Sequence, residues 1–252
     1  MKTIILIITL ICQVIYAQIT PKKINVEINK NVETLVIIFQ QADHNLNQWA
    51  PSCVQPLRIE TLKYFSSYNG HPAIKRAEEF VKKGIGVDSR INIALLFSPF
   101  PEGKLLFPID TSFCKSISSN NDFEEGKLQI LQFIQLVNKF YRDANVEGFF
   151  KKYNSIYEGV INEVKKNLPK ENYLNILEDY YGISNCSYTL IPSPTLYAGW
   201  GIGTRLQCSK GLNVFNIFGP TIQTDDTIKY NLVFCSDLNY ICKDFYGDWV
   251  RL

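Results

Sequence analysis

The sequence predicts an α+β protein, with an N-terminal helical bundle followed by a small, mostly antiparallel sheet and the start of a terminal helix. Residues 29–180 carry apolar side chains at the three- and four-residue spacing of helices. Residues 186–238 contain short runs of branched and aromatic residues between glycines and prolines, which is typical of strands and turns. Residues 240–252 return to helical spacing. Because helices and strands occupy separate stretches, the pattern favours α+β over an alternating α/β order.

The N-terminus is predicted to be a secretory signal peptide covering residues 1–17. A cationic start at Lys2 precedes an apolar run over residues 3–16, and the small residue Ala17 offers a cleavage position. The run is too short for a membrane-spanning helix. We therefore expect cleavage near Ala17, a periplasmic or extracellular location, and a single domain over residues 18–252.

Helix starts and stops can be assigned in the helical part. Asn31 is predicted to cap the first helix. His71 precedes Pro72, which occupies the first position of a later helix, and Gly84 ends that helix. Asp88 is predicted to cap the next helix.

The second half of the helical part is simpler. Residues 99–121 are rich in Pro, Gly, Ser and Asn and are predicted to be a loop. Long helices are predicted over about 122–144 and 146–167, and a shorter helix runs through Tyr180.

Four strands are predicted in the last part. They are Tyr188–Ile191, Leu196–Leu206, Leu212–Phe218 and Tyr230–Cys235. The glycine run Gly199–Gly203 is not a dinucleotide-binding motif, because Leu206 stands where a third glycine is needed and no helix begins there. A bulged or twisted strand is the better interpretation of this run.

Charge and cysteine content narrow the class of protein. The chain has 26 basic and 24 acidic residues, and the basic ones are scattered, so neither a nucleic-acid surface nor an anionic membrane surface is predicted. An even number of cysteines in an exported chain permits disulfides. The sequence contains no CxxC pair, the spacing that would indicate a zinc site. The cysteines that remain after signal cleavage are Cys53, Cys114, Cys186, Cys208, Cys235 and Cys242.

A histidine-based acid–base or metal site in this chain would have to use His44 or His71, because the sequence contains two histidines. His44 follows the first helix, where a histidine usually complements the helix dipole, and His71 is predicted to cap its helix. A metal site that joins both to a carboxylate such as Asp43 is the alternative. Paired acids at Glu78-Glu79, Glu124-Glu125 and Asp225-Asp226 are interpreted as helix-surface and turn residues. No catalytic, cofactor-binding or metal-binding residue is therefore assigned.

Several short segments resemble an exported bacterial family catalogued as a domain of unknown function. They are Val32–Phe39, Leu62–Phe65, Tyr68–Pro72, Gly84–Asp88, Phe140–Asp143, Phe149-Phe150 and Tyr188–Pro194. The resemblance implies a zincin-like metallopeptidase fold, in which a His-Glu-x-x-His helix binds zinc and follows a segment similar to Phe245–Leu252. It also implies a peptide or protein substrate, and it suggests that a strand within 187–218 lines the cleft.

The chain departs from this pattern because it contains no His-Glu-x-x-His motif. Neither His44 nor His71 matches a ligand of the family. Phe245, Trp249 and Leu252 form an apolar stripe that continues to the last residue, so we expect a fragment truncated before its zinc helix and catalytically incomplete as given.

The alternative is a non-catalytic extracellular module that binds carbohydrate or peptide. Tyr197, Trp200, Phe215 and Phe218 could form an aromatic platform for such a ligand. Ordinary core packing is the favoured interpretation of these side chains.

Overall fold

The computed structural model describes six stretches of the chain. They are residues 23–43, 55–169, 174–182, 184, 187–209 and 211–220. The predicted signal peptide, strand Tyr230–Cys235 and terminal helix 240–252 lie outside them, as do His44 and Asp225-Asp226.

Within these stretches the chain forms nine α-helices and one four-stranded sheet. The helices are α1 (Lys30–Ala42), α2 (Pro56–Tyr64), α3 (Pro72–Lys82), α4 (Val87–Asn92), α5 (Thr111–Ile117), α6 (Phe123–Asp143), α7 (Val146–Lys152), α8 (Asn154–Asn167) and α9 (Leu174–Tyr181). The strands are β1 (Ile24–Val26), β2 (Ser187–Pro192), β3 (Gly201–Cys208) and β4 (Gly211–Phe218). The predicted α+β class, with helices before the sheet, is confirmed.

The sheet differs from the mostly antiparallel one that was predicted. Its strand order is β1-β2-β4-β3, in which β1–β2 and β2–β4 are parallel and β3–β4 is antiparallel. Parallel neighbours need a long crossover between them, and the helical part supplies it between β1 and β2. The local pattern of a strand reports its buried face but not its partner, so the prediction of strand direction was wrong.

Two predicted helix caps were also wrong. The side chain of Asn29, not Asn31, caps α1 by accepting a hydrogen bond from Val32 N at 3.1 Å. Asn31 lies buried in the first turn of α1, where its Oδ1 accepts from Phe100 N at 2.9 Å. Gly86, not Asp88, is the N-cap residue of α4. Two asparagines stand near the start of α1, and α4 begins before Asp88 with a glycine as its cap, so local residue preference does not fix the first residue of either helix.

Helix boundaries were predicted well in some places and poorly in others. α6 matches the helix predicted over 122–144. The helix predicted over 146–167 is divided at Tyr153 into α7 and α8. The predicted loop 99–121 contains α5, which Asp110 caps through a hydrogen bond from Phe113 N at 2.8 Å.

The first helix, α1, lies at the centre of the helical part. Every residue from Asn31 to Ala42 is buried. α1 contacts α2, α3, α4 and α6, and aromatic side chains from several helices close the core around it. A helix that is buried all round is typical of a protein interior. Any polar side chain on α1 therefore has to be satisfied inside the protein.

No helix in the described stretches combines the length and the apolar composition of a membrane span.

Candidate functional site

The connection between β2 and β3, residues 193–200, lies against α1, and we call it the β2–β3 turn. Residues 193–197 are buried. Ser193 N donates to Phe218 O at 2.8 Å, and Gly219 N donates to Trp200 O at 2.9 Å. These bonds fix both ends of the turn to the end of β4, so the turn determines where β3 begins.

Glu33 projects from α1 towards this turn and is fully buried. Its carboxylate accepts hydrogen bonds from Tyr157 Oη at 3.0 Å, from Thr195 Oγ1 at 2.8 Å and from Ser193 Oγ. No Lys, Arg or His in the described stretches forms an ion pair with it. The buried carboxyl group of Glu33 is thus bonded by hydroxyl groups. Burial makes the ionised form of such a group costly in free energy.

The pKa of Glu33 reflects this environment. Burial raises the pKa to about 7, against the opposing effect of the hydrogen bonds from Ser193, Thr195 and Tyr157. Burial, and then the nearby Glu33 carboxylate, raises the pKa of Tyr157 well above its ordinary value. Near neutral pH, Glu33 is therefore present in both its protonated and its ionised form, while Tyr157 stays protonated.

Two glutamines bind further polar groups of the turn. Gln40, on α1, donates from Nε2 to Thr195 O. Gln55, immediately before α2, donates from Nε2 to Leu196 O at 2.5 Å and accepts from Ala198 N at 3.2 Å through Oε1. Together with Glu33, these side chains bind consecutive polar groups of the turn. We call Glu33, Gln40 and Gln55 the polar clamp.

An aromatic and charged cluster follows the polar clamp. The guanidinium carbon of Arg58 lies 4.4 Å from the ring centroid of Tyr197, a cation–π geometry. The ring of Trp200 lies 6.1 Å from that of Tyr197, and its Nε1 donates to Asp88 Oδ1 at 3.1 Å. Asp88, predicted to be a helix cap, instead links α4 to the start of β3.

The end of α1 carries a second buried charged group. Arg90 Nη1 donates to Asp43 Oδ2 at 2.9 Å, and both side chains are buried. Asp43 was considered as a metal ligand together with the two histidines. In the structure Asp43 is the partner of Arg90, and His71 bonds Asp143 instead.

His71 caps α3, as the sequence predicts. Its Nδ1 accepts from Ala73 N at 3.1 Å, and its Nε2 lies 3.4 Å from Asp143 Oδ2. Its ring packs edge-on against Phe140. Burial is the main cause that lowers the pKa of His71, which keeps Nδ1 unprotonated and able to accept. Both ring nitrogens are engaged in structure rather than chemistry.

The cap predicts a modest loss of stability when it is removed. His71→Ala is expected to lower the free energy of unfolding by about 1 kcal/mol, because Ala73 N–H loses its acceptor. His71→Asn, which can accept the same bond, is expected to recover most of that loss. Urea denaturation of the variants measures both values, and an equal loss in both would contradict the capping role.

The other sequence candidates are structural where the structure describes them. Glu78 and Glu79 pair with Lys75 and Arg76 on the surface of α3. Glu124 and Glu125 lie in the first turn of α6. No group of three or more His, Cys, Asp or Glu side chains in the described stretches is arranged to hold a metal ion.

The four aromatic residues considered as a platform do not share one surface. Tyr197 is buried in the larger hydrophobic core, and Trp200 and Phe215 pack against that core. Phe218 packs against the second, smaller core beside β1 and α8. They contribute to packing, which is the interpretation that the sequence favoured.

Strand β3 lies at the edge of the sheet formed by the described strands. It pairs with β4 on one side, and no further described strand lies beyond it. Ile202 and Leu206 are buried, whereas Gly201, Gly203 and the other odd-numbered residues through Gln207 are exposed. Glycine in a strand permits close approach of another backbone. Gly201 and Gly203 lie in a strand, as predicted, but β3 begins at Gly201 and not at Leu196, because residues 193–200 form the buried turn.

Sequence reasoning missed the polar clamp. Glu33 stands within the apolar run Val32–Phe39, and an acid in such a run signals a buried polar contact. Its partners Ser193 and Thr195 lie about 160 residues away, and no local pattern connects them to it.

Comparison with known proteins identifies a family and no individual relative. No curated protein and no solved structure was found to match the chain. One family, described as a domain of unknown function (DUF4932), matches residues 24–249. The match spans both the helical part and the sheet, including the polar clamp and β3. The chain therefore belongs to the DUF4932 family.

Proposed function

We propose that this protein is exported and binds a polypeptide in extended conformation along β3, in a metallopeptidase-like scaffold. The observation that carries the proposal is the edge of β3 that no described strand covers; the start of β3 is fixed by the buried turn. An extended peptide can add to such an edge through main-chain hydrogen bonds. An unpaired strand edge promotes aggregation, and a bound polypeptide would cover it.

Export is supported by two features. The apolar run over residues 3–16 and the small residue Ala17 fit a signal peptide. Cys208 is disulfide-bonded, and disulfides persist mainly in oxidising compartments outside the cytosol. Cys114, by contrast, is a buried free thiol.

Zinc-dependent hydrolysis is the finer part of the proposal and rests on the family resemblance. The described residues do not fit a zinc site, since they contain no suitable group of ligands, and the chain has no His-Glu-x-x-His motif. We therefore assign no catalytic step to these residues and propose binding without hydrolysis for this chain. A carbohydrate platform is less favoured, because Tyr197 is buried and Phe218 belongs to another core.

Proline substitution tests the edge. Consecutive residues of a strand direct their N–H groups to opposite sides of that strand. Of the variants Gly203→Pro and Thr204→Pro, one therefore removes an N–H group that points away from β4. The other removes an N–H group that bonds β4 and so breaks the pairing of the two strands. The outward variant is expected to keep the fold and to weaken binding of fluorescently labelled casein, an unfolded polypeptide, about tenfold or more. Fluorescence anisotropy measures the affinity, and circular dichroism identifies the folded variant.

Binding and hydrolysis are separated in the same assay. Intact casein recovered after incubation, with and without added Zn²⁺, supports binding without catalysis. Chelator-sensitive cleavage of casein would show that the chain carries a complete zinc site. Unchanged affinity in the folded proline variant would overturn the proposal that β3 binds the polypeptide.

A further inference from the structure

We infer that Glu33 is a proton-operated latch: when it is protonated the β2–β3 turn is seated on α1, and when it is ionised the turn opens more readily. The inference deepens the proposed function, because the turn fixes the start of β3 and would thereby regulate the peptide-binding edge.

The donors to Glu33 fall into two groups with different attachments. Tyr157 belongs to α8 and packs in the helical core, so it stays beside Glu33. Ser193 and Thr195 belong to the turn and are fully buried over the carboxylate. Lifting the turn removes these two donors and admits water to Glu33. The carboxylate is thus covered by a segment that belongs to neither α1 nor α8.

Besides Trp200, which bonds Asp88, and Tyr197, on which Arg58 stacks, the turn is held by neutral side chains. Gln40 and Gln55 bind the backbone of the turn through amide groups, which do not titrate. Among the groups of the polar clamp, only Glu33 changes charge with pH. An ionised carboxylate is hydrated in the open turn and buried in the closed one, so ionisation favours opening.

No other charged group competes for Glu33 in the described stretches. Tyr157 is the titratable group that faces it, and this tyrosine stays protonated. Lys30, three residues earlier on α1, is half-exposed and bonds Glu147. Arg90, which packs on the far end of α1, is paired with Asp43.

A further cation and a further histidine lie on neighbouring helices. Arg58, on α2, stacks on Tyr197. His71, at the start of α3, bonds Ala73 N and Asp143. The pKa of Glu33 is instead set by burial, which raises it, against the three hydroxyl hydrogen bonds, which lower it.

The direction of the pH effect follows from linkage. The pKa of Glu33 is about 7 in the closed turn and near the ordinary 4.5 once water reaches it. Closure is therefore favoured fully below the lower value and is lost progressively up to about pH 7. Over this range the population of the open turn should rise about tenfold per pH unit.

Hydrogen exchange of the whole chain tests the latch without any peptide. Protection factors of the Leu196 and Ala198 amides, corrected for the intrinsic exchange rate, are expected to fall about tenfold per pH unit between about pH 5 and 7. They should also lie below those of Phe133 and Val137 in α6, which report global unfolding. Glu33→Gln should remove the slope. Because casein is absent, failure here is distinguishable from failure of the proposed peptide binding.

A matched control is Glu60→Gln, since Glu60 also accepts from a tyrosine, Tyr153, at 2.8 Å, but does not touch the turn. This variant should retain the slope. Equal protection of the turn and α6 at every pH would show that the turn does not open by itself and would overturn the inference. A slope that persists in Glu33→Gln would do the same, because another group would then be responsible.

Discussion

Gly126→Ala is expected to destabilise the protein by about 3 kcal/mol, at the upper end of the cost of overpacking a core. A Cβ at position 126 would lie 1.8 Å from the carbonyl oxygen of Cys114. That atom belongs to the backbone of α5, so a side-chain rotation cannot relieve the clash. The helices α5 and α6 would have to separate, and the core around Ile117 and Ile130 would lose contacts. Urea denaturation measures the change.

Gly159→Ala is the matched control. Gly159 also lies in the interior of a helix, α8, but a Cβ there meets no atom within 4 Å. Alanine is expected to stabilise this helix by about 0.5–1 kcal/mol, because glycine has the greater backbone entropy when unfolded. Opposite signs for the two substitutions identify close packing as the cause. A loss below 1 kcal/mol in Gly126→Ala would contradict the close approach of α5 and α6.

The second large effect concerns pH. Between about pH 4.5 and 8, Glu33 is expected to reduce the free energy of unfolding by about 3 kcal/mol, as follows from a pKa raised from 4.5 to about 7. The folded state binds the proton more tightly than the unfolded state, so the stabilisation is complete below pH 4.5 and is lost as the pH rises through 7. Glu33→Gln should abolish this contribution, because glutamine resembles the protonated acid and does not ionise.

The difference in the free energy of unfolding between the wild type and Glu33→Gln reports the contribution of Glu33. His71 acts in the opposite direction: its pKa is lowered in the fold, so its contribution is present above its ordinary pKa of 6.5 and declines as the pH falls. Because His71 is common to both proteins, its effect cancels in the difference. Denaturation at several pH values measures that difference, and a value that does not change with pH would refute the assignment.

The local pattern of the sequence predicted α3 and α6 well. His71 with Pro72 marked the start of α3, and Gly84, with a φ of +74°, marked its end. A position with positive φ after a helix favours glycine, so the glycine alone indicates where the helix ends. α6 was predicted for the same reason, since its apolar stripe is long and regular.

Contacts between distant segments were not predicted. β1 was not predicted, because three residues carry too short a pattern, and its register beside β2 is a tertiary property. Asn31 was assigned as a cap because asparagine favours that position, whereas the fold uses its amide to bind the segment around Phe100. In both cases the partner is remote in sequence.

The chain itself determined that a helical part precedes a strand-rich part and that a carboxylate stands inside an apolar helix at Glu33. Only the tertiary structure decided that Ser193, Thr195 and Tyr157 surround this carboxylate and that β3 is the last of the described strands in the sheet. The physical reason is range: helix periodicity and capping depend on neighbours a few residues apart, whereas burial and strand pairing depend on segments that meet only when the core closes.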